Sequence, residues 1–499
     1  MKLLIILPAV ACLSMNTGQA QKTVLSYPFQ FEKSFLAKGQ YDCYFLNSLG
    51  DSSFALILKD NKKVEYICLN RDFKIINNIS EPIGSTVLDQ PAALYLGGTA
   101  KGGEYHFVYQ VKSSFMMETV NFNEKTVRDN KLFELPESGK SMVSFSDNNT
   151  YFSIAADDKS GELVLHLVNS DGQLIQKNIP VPPSGEVKNN RFKVSGYLNN
   201  RKVITSSEYP DLDAAEDPAK LISQPGRLTF LTNAGHKAYI FSINLADFST
   251  QDDNLDYGDL LGNGGQRQEY SNSYLLDNTL YSVLGDKKTF RITAHDLATN
   301  TLLVKYEFDE QSGSEQLAQP PVKEERYGRK LHSKEATMKN IIKDFLNSEG
   351  NLAILVARTE SGQVLLTAGT YGHINYGGGS AMPRYMGGFD HSSTTNIPNI
   401  GAVPNFNPYM YRLPGNPTIG TTSARDYFTT HFSMLLDSGS LKAGKGRVPV
   451  AVGDQIKDYL GDTDKKSKAT NQFAIGKKQY FGYYDRESQA YVIEQISIF

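Results

Sequence analysis

The side chains best suited to recognition gather in the stretch 371–428. There Tyr371, His373, Tyr376, Tyr385, Phe389, His391, Tyr409 and Tyr411 stand among the glycine runs Gly377-Gly378-Gly379 and Gly387-Gly388. Aromatic rings with polar edges, carried on a glycine-flexible chain, suit the gripping of sugar rings, peptides or a protein partner. Packing of the same rings onto the body of the molecule as a lid or plug accounts for the composition equally well. A second grouping, Asp252, Asn254 and Asp256 with Asp259 beyond it, places oxygen-bearing side chains at alternate positions, as a calcium loop does for a hard cation. The match to that pattern is partial. Gly258 falls one position late and Asn263 stands where a closing glutamate belongs, so a solvated polar loop is the better reading and Ca2+ the weaker candidate cofactor. A third set, Asp211, Asp256 and Asp390, offers carboxylates for glycan chemistry by acid and base, but nothing in their spacing pairs them.

Other chemistries find no footing. The chain has no Gly-x-Ser-x-Gly nucleophile elbow, no His-Glu-x-x-His and no cysteine-histidine metal spacing, and no glycine run is followed by Lys-Ser/Thr as a phosphate cradle requires. The eight histidines are scattered singly. His106, His166, His236, His295 and His431 fall in or beside expected strands, where packing is their ordinary role, whereas His332, His373 and His391 fall on expected insertions. A formal net charge of −3 without any basic run gives no electrostatic footprint for nucleic acid. The complete absence of Trp removes the largest stacking surface for sugars, although Tyr can substitute.

The elements that must position these residues are short strands. Between Tyr41 and Leu303, alternating apolar stretches are punctuated by polar turns at Asn70-Arg71-Asp72, Asn123-Glu124-Lys125, Ser170-Asp171-Gly172, Ala246-Asp247 and Ala298-Thr299-Asn300. Recurrence every ~40 to 50 residues predicts radially repeated small antiparallel sheets, because one such sheet cannot bury both faces alone. Strands such as Phe54–Leu58 and Leu163–Val168 are apolar on both alternating sets, as central strands of stacked sheets must be. The expected fold is therefore all-β: a β-propeller of about seven four-stranded blades, with six or eight blades or tandem β-sandwiches as alternatives. The strand at 23–31 has no neighbours in its own stretch, and the last quartet, ending at 490–499, lacks one strand. Pairing the two ends would close the ring. One domain over residues 21–499 follows, with insertions at about 206–227, 247–270, 309–340 and 371–428; a short helix is expected near 334–345. Cys43 and Cys68, on the first and third strands of one meander, read as separate buried thiols rather than a bridge.

Residues 1–20 read as a cleaved secretory signal: Lys2, an apolar run from Leu3 to Leu13, and small residues at Gly18 and Ala20. The competing reading of Cys12 as a lipid-bearing residue is weakened by Ala9, which stands where a larger apolar residue is usual. Through repeat spacing and hairpin patterning over nearly the whole mature length, the chain resembles β-propeller proteins exported by Gram-negative bacteria, without the Trp-Asp repeat signature. The resemblance implies a periplasmic, outer-membrane-associated or extracellular location and carries over no site residues. The reading that follows is an exported, non-catalytic binding or scaffold protein that recognises a protein or glycan partner through its loop insertions. The alternative is a glycan-active hydrolase or lyase with carboxylates in the axial funnel. Peripheral attachment to the outer membrane is compatible with either. Intact-mass analysis of the protein recovered from a Gram-negative periplasm should give a chain beginning at Gln21; retention of residues 1–20, or a lipid adduct at Cys12, would overturn the signal reading.

Overall fold

A computed structural model describes residues 22–496, apart from 30, 32–41, 49–52, 61, 83–92, 135–141, 183–193, 199–200, 206–211, 262–269, 286–287, 313–314, 328–329, 347–350, 360, 374–426, 447, 449–466 and 476–477. It is built almost entirely from antiparallel strands. The first strand, β1 (Lys22–Pro28), is followed by sheet I, of β2 (Asp42–Asn47), β3 (Ser53–Lys59), β4 (Lys63–Asn70) and β5 (Ile75–Pro82). Sheet II holds β6 (Ala93–Lys101), β7 (Glu104–Val111), β8 (Ser114–Asn121) and β9 (Thr126–Glu134). Sheet III holds β10 (Met142–Asp147), β11 (Thr150–Asp157), β12 (Glu162–Val168) and β13 (Leu174–Pro180).

After the short helix α1 (Ser195–Leu198), sheet IV opens with β14 (Lys202–Ile204). Helix α2 (Leu212–Ala215) then precedes β15 (Ala219–Gln224), β16 (Arg227–Ala234), β17 (Lys237–Asn244) and β18 (Thr250–Asp256). Helix α3 (Gly258–Leu261) leads to sheet V, of β19 (Tyr270–Leu276), β20 (Thr279–Gly285), β21 (Thr289–Asp296) and β22 (Thr301–Asp309). Sheet VI begins with β23 (Gln319–Tyr327), β24 (Lys330–Glu335) and helix α4 (Met338–Leu346). It continues with β25 (Asn351–Arg358), β26 (Val364–His373), β27 (Tyr427–Leu436) and the two-residue β28 (Ala443–Gly444). Sheet VII is β29 (Ser467–Ile475), β30 (Lys478–Asp485) and β31 (Ala490–Ile496), completed by β1.

From VII to I and onward to VI, neighbouring sheets pack through their apolar faces, which is the arrangement of a β-propeller and not of paired sandwiches. One buried cluster joins sheets VII and I, another joins I, II and III, a third joins III and IV, and the largest joins IV, V and VI. In sheets I to III, and again in V and VI, one edge strand of a sheet meets that of the next, β2 with β6, β6 with β10 and β19 with β25, which places them innermost. Ring closure by the two ends takes the expected form: β1 runs antiparallel to β31, from Lys22 opposite Gln495 to Pro28 opposite Ala490. Phe31 then drops into the seam, 4.6 Å from Phe29 and 4.7 Å from Tyr484 in edge-on contacts.

The recurring polar turns have one origin. In sheets I to VI the third strand ends on, or is followed directly by, Asn70, Asn121, Asn169, Asn244, Asp296 or Asp437, whose side-chain oxygen accepts a backbone N–H two residues on. Such a side chain mimics a turn carbonyl and fixes the hairpin into the fourth strand. Inside the sheets, cross-strand rows of polar residues recur, among them Thr99–His106–Thr119, Ser144–Ser153–His166 and Ser273–Ser282–Thr293. His166 lies flat on Phe133, with ring centroids 3.8 Å apart, and burial pushes its pKa down to about 4. The lone strand histidines His106 and His166 are thus packed residues, as is His295.

Several segments read as insertions are strands in part. Residues 219–224 form β15, 250–256 form β18, and 319–327 and 330–335 form β23 and β24. Pro320-Pro321 is accommodated where the β23–β27 register shifts between Gln319 and Val322, so two prolines do not end the strand. Helix α4 fits the expectation of a helix near 334–345. Sheets IV and VI depart from four strands: β14 adds in parallel beside β15, and sheet VI holds six strands. Cys43 and Cys68 are buried on β2 and β4 without a disulfide. The residues of the expected signal lie outside the described ones, and among the latter no helix is long and apolar enough to cross a membrane.

The closing seam sets a measurable dependence. Phe31→Ala removes a ring that is 2 % exposed and should lower the unfolding free energy by about 3–5 kcal/mol in urea titration. An unchanged midpoint would show that the ends do not close the ring in solution.

Candidate functional site

The connections between strands are distributed unequally over the two ends of the ring. Antiparallel alternation puts every turn from first to second and from third to fourth strand at one end, here called the lower face. These are the short polar turns, and they are stitched to one another. Arg227 and Arg358 both reach Asp277, through its backbone oxygen and its carboxylate respectively, and Lys101 pairs with Asp171. The opposite, upper face carries the second-to-third-strand hairpins, short ones such as β3 to β4 and β7 to β8, and also the long connections: β26 to β27, β18 to β19, and the approach to β15 from α1 and α2.

At that upper face two connections meet. Tyr371, near the end of β26, and Tyr427, at the start of β27, stack with ring centroids 5.2 Å apart at 23°. Both are buried over Ala353, and Leu212 of α2 packs against them. Close approach of these two strands depends on Gly369, where an added Cβ would lie 2.1 Å from the carbonyl oxygen of Thr430. Thr429 donates to the carbonyl of Thr370 at 2.9 Å, and Thr430 donates to Asp344 of α4 at 2.6 Å. Lys323 pairs with the same carboxylate at 3.2 Å, so α4 is bonded to the β27 side of the root.

Helix α2 is held from the other side. Leu-Asp-Ala-Ala suits a helical turn, and Pro218 ends it, since the residue before a proline is steered away from helical geometry. The Pro218 carbonyl accepts from the backbone of Asn233 at 2.9 Å. Lys220, two residues on, is fully buried, and its ammonium donates to the Asp217 carbonyl and to Asn272 Oδ1, both at 2.5 Å. Asn272 in turn donates through Nδ2 to Leu352 O at 2.7 Å, Glu216 O at 2.8 Å and Ala215 O at 3.0 Å. Carbonyls only accept and an amine on this side donates, so the amide orientation is fixed by its partners. Burial pushes the Lys220 pKa down to about 7, opposed by the nearby negative charges of Asp217 and Glu216.

The residues singled out in the sequence are placed as follows. Tyr371 is in the root just described and His373 is the last residue of β26, whereas Tyr376, Tyr385, Phe389, His391, Tyr409 and Tyr411 lie outside the described residues, as do Asp211 and Asp390. Asp252, Asn254 and Asp256 are not on a turning loop: they occupy β18, the outermost strand of sheet IV, opposite Phe241, Tyr239 and Lys237. Their alternation is the period of a strand with one solvated face. Asp256 accepts from the Gly258 backbone at 2.8 Å and pairs with Lys237 at 3.1 Å, which holds its pKa below the usual carboxylate range. It therefore does not stand at the axis as a glycan-chemistry carboxylate would. Among the described residues no group of three or more His, Cys, Asp and Glu gathers as a metal site would. The Lys220–Asn272 node escaped sequence reading, although a lone lysine in the apolar run Ala219–Ile222 breaks the strand pattern and marks it.

No protein-family model matches the sequence, and no curated protein matches it. Among solved structures the chain is similar to the WD40 domain of SCAP from fission yeast, at 8% identity and a TM-score of 0.29 over 95% of this chain and 87% of that one. It is also similar to the β-propeller domain of Nup133 from Vanderwaltozyma polyspora, at 8% identity and 0.25 over 54% and 74%. A third likeness is to a protein from Lactobacillus plantarum, at 8% identity and 0.27 over 66% and 79%. Likenesses this distant carry nothing about function, and the strand pairing itself defines the fold.

The depressed pKa of Lys220 gives a pH dependence of known sign. Between about 7 and the ordinary lysine value of 10.5 the unfolded chain carries a proton at this residue that the folded one lacks, so its contribution to stability rises with pH across that window. The urea midpoint of the native protein minus that of Lys220→Met should therefore rise from pH 7 to pH 9. A constant difference would place the amine in contact with water.

Proposed function

We propose that the protein is an exported, non-catalytic binding propeller that recognises a protein or glycan partner at its upper face. The observation that carries this reading is the one-sided distribution of connections. Short stitched turns make up the lower face, while the aromatic-rich 371–428 stretch and the α1–α2 connection both open on the upper one, around the Tyr371–Tyr427 stack. Loops positioned by a rigid scaffold are where recognition residues concentrate. Conversely, the sequence offers no nucleophile motif, and Asp256 belongs to an outer strand. Export rests on the N-terminal pattern of Lys2, the apolar run to Leu13 and Gly18-Gln19-Ala20.

The test is a shortening that respects the strands. Replacing residues 375–425 by Asn-Gly retains β26 and β27, and a two-residue turn of that type suits a hairpin. The variant should keep an all-β circular dichroism spectrum and a cooperative melt while losing capture of its partner from periplasmic and outer-membrane extract, or of sugars on a glycan array. Undiminished capture by a folded variant would remove the insertion from recognition.

A further inference from the structure

We propose that Asn272 and Lys220 form a latch that seats residues 212–217 across the inner strands of sheets IV, V and VI and so couples this connection to the Tyr371–Tyr427 stack. The latch rests on the reading of the upper face as the recognition surface and names what sets its shape. One carboxamide on β19 meets a buried amine on β15, the carbonyls of Ala215 at the end of α2 and of Glu216 just after it, and the carbonyl of Leu352 on β25. An amide carries only two N–H bonds for those three acceptors, so both donors are fully engaged and no water is needed to satisfy them. Lys220 adds the second tie, to the Asp217 carbonyl. Leu212, at the far end of the same segment, then leans on Tyr371 and Tyr427.

The consequence is mechanical. A four-residue helix has little stability of its own, so α2 holds its place by tertiary contacts alone. Asn272 and Lys220 lie beneath the surface and act as positioning residues; the groups they place are the 212–217 segment and the rings at the root of the β26–β27 connection.

Hydrogen exchange followed by mass spectrometry on the full chain tests this without knowledge of the partner. Asn272→Asp keeps an acceptor for Lys220 and removes both N–H donors, whereas Asn272→Ala removes everything; each should speed exchange at least about tenfold in peptides spanning 212–217 and in those spanning 369–373 and 427–430. Peptides from sheets I and II should exchange at their native rate. Leu212→Ala should speed exchange at the tyrosine root while leaving 215–217 protected, which separates the two ends of the segment and supplies a milder variant should Asn272→Ala not fold. Acceleration confined to 212–217 would overturn the coupling, and uniform acceleration through sheets I and II would reduce Asn272 to a general core residue. Because no binding is measured, these outcomes are distinct from those of the 375–425 replacement: capture can depend on the insertion while the latch fails, and the latch can hold while capture does not.

Discussion

Parity governs this molecule. In an antiparallel sheet entered from one end, every second connection must return to that end, so the two ends of the ring differ in kind before any side chain is considered. Capped short hairpins occur at both ends, Asn70 and Asn121 capping turns at one and Asp60 and Asp157 at the other, but the longer connections all leave from one end. Each capped turn can be short because a side-chain oxygen replaces the carbonyl that a longer loop would have to supply. The tight end also accumulates cross-sheet ties, such as Asn149 bonded to the Ala100 backbone and Arg227 to Asn278. Rigidity at one end leaves the other available for variable chain.

Polar groups inside the sheets divide into two kinds. The rows of Ser, Thr and His lie in cross-strand register, and some neighbours within them bond to one another, as His106 does with Thr119 at 3.0 Å and Thr229 with Ser242 at 3.1 Å. Where a member reaches outside its sheet it does so by a bond to one neighbour, as Ser273 does to Asn233 and Thr99 to the Asn169 carbonyl. The Lys220–Asn272 node differs, since its bonds run between three sheets and a connection, and a buried amine is costly unless its hydrogen bonds are complete. That expense distinguishes a positioning device from the ordinary satisfaction of a sheet.

Much of the architecture was legible in the sequence for a local reason. Asn70, Asn123, Asp171 and Asn300 lie in turns set by a few adjacent residues, and the unmatched strand at 23–31 announced that its partner must be distant. What was not legible depended on tertiary context. Thr250–Asp256 carries five acidic or amide side chains and reads as loop, yet pairing with the apolar β17 makes it an edge strand. Gln319–Tyr327 contains two prolines and a charge run, and a register shift absorbs the prolines while the strand bonds to both β24 and β27. Of the expected recognition residues, only Tyr371 and His373 fall among those described. The partner that buries Tyr371, Tyr427, belongs to the far side of the same connection.

The seam between β1 and β31 has a bearing on how the molecule comes into being. Residue 22 faces residue 495, so the last sheet stays one strand short until nearly the whole polypeptide is available. Joining ends that far apart is slow more than it is unfavourable, because closure entropy grows only logarithmically with the intervening length. In that interval the edge of β31 accepts any β1 within reach, including one from a second molecule. Exchange of the first strand between two chains is thus the characteristic misassembly that this topology invites.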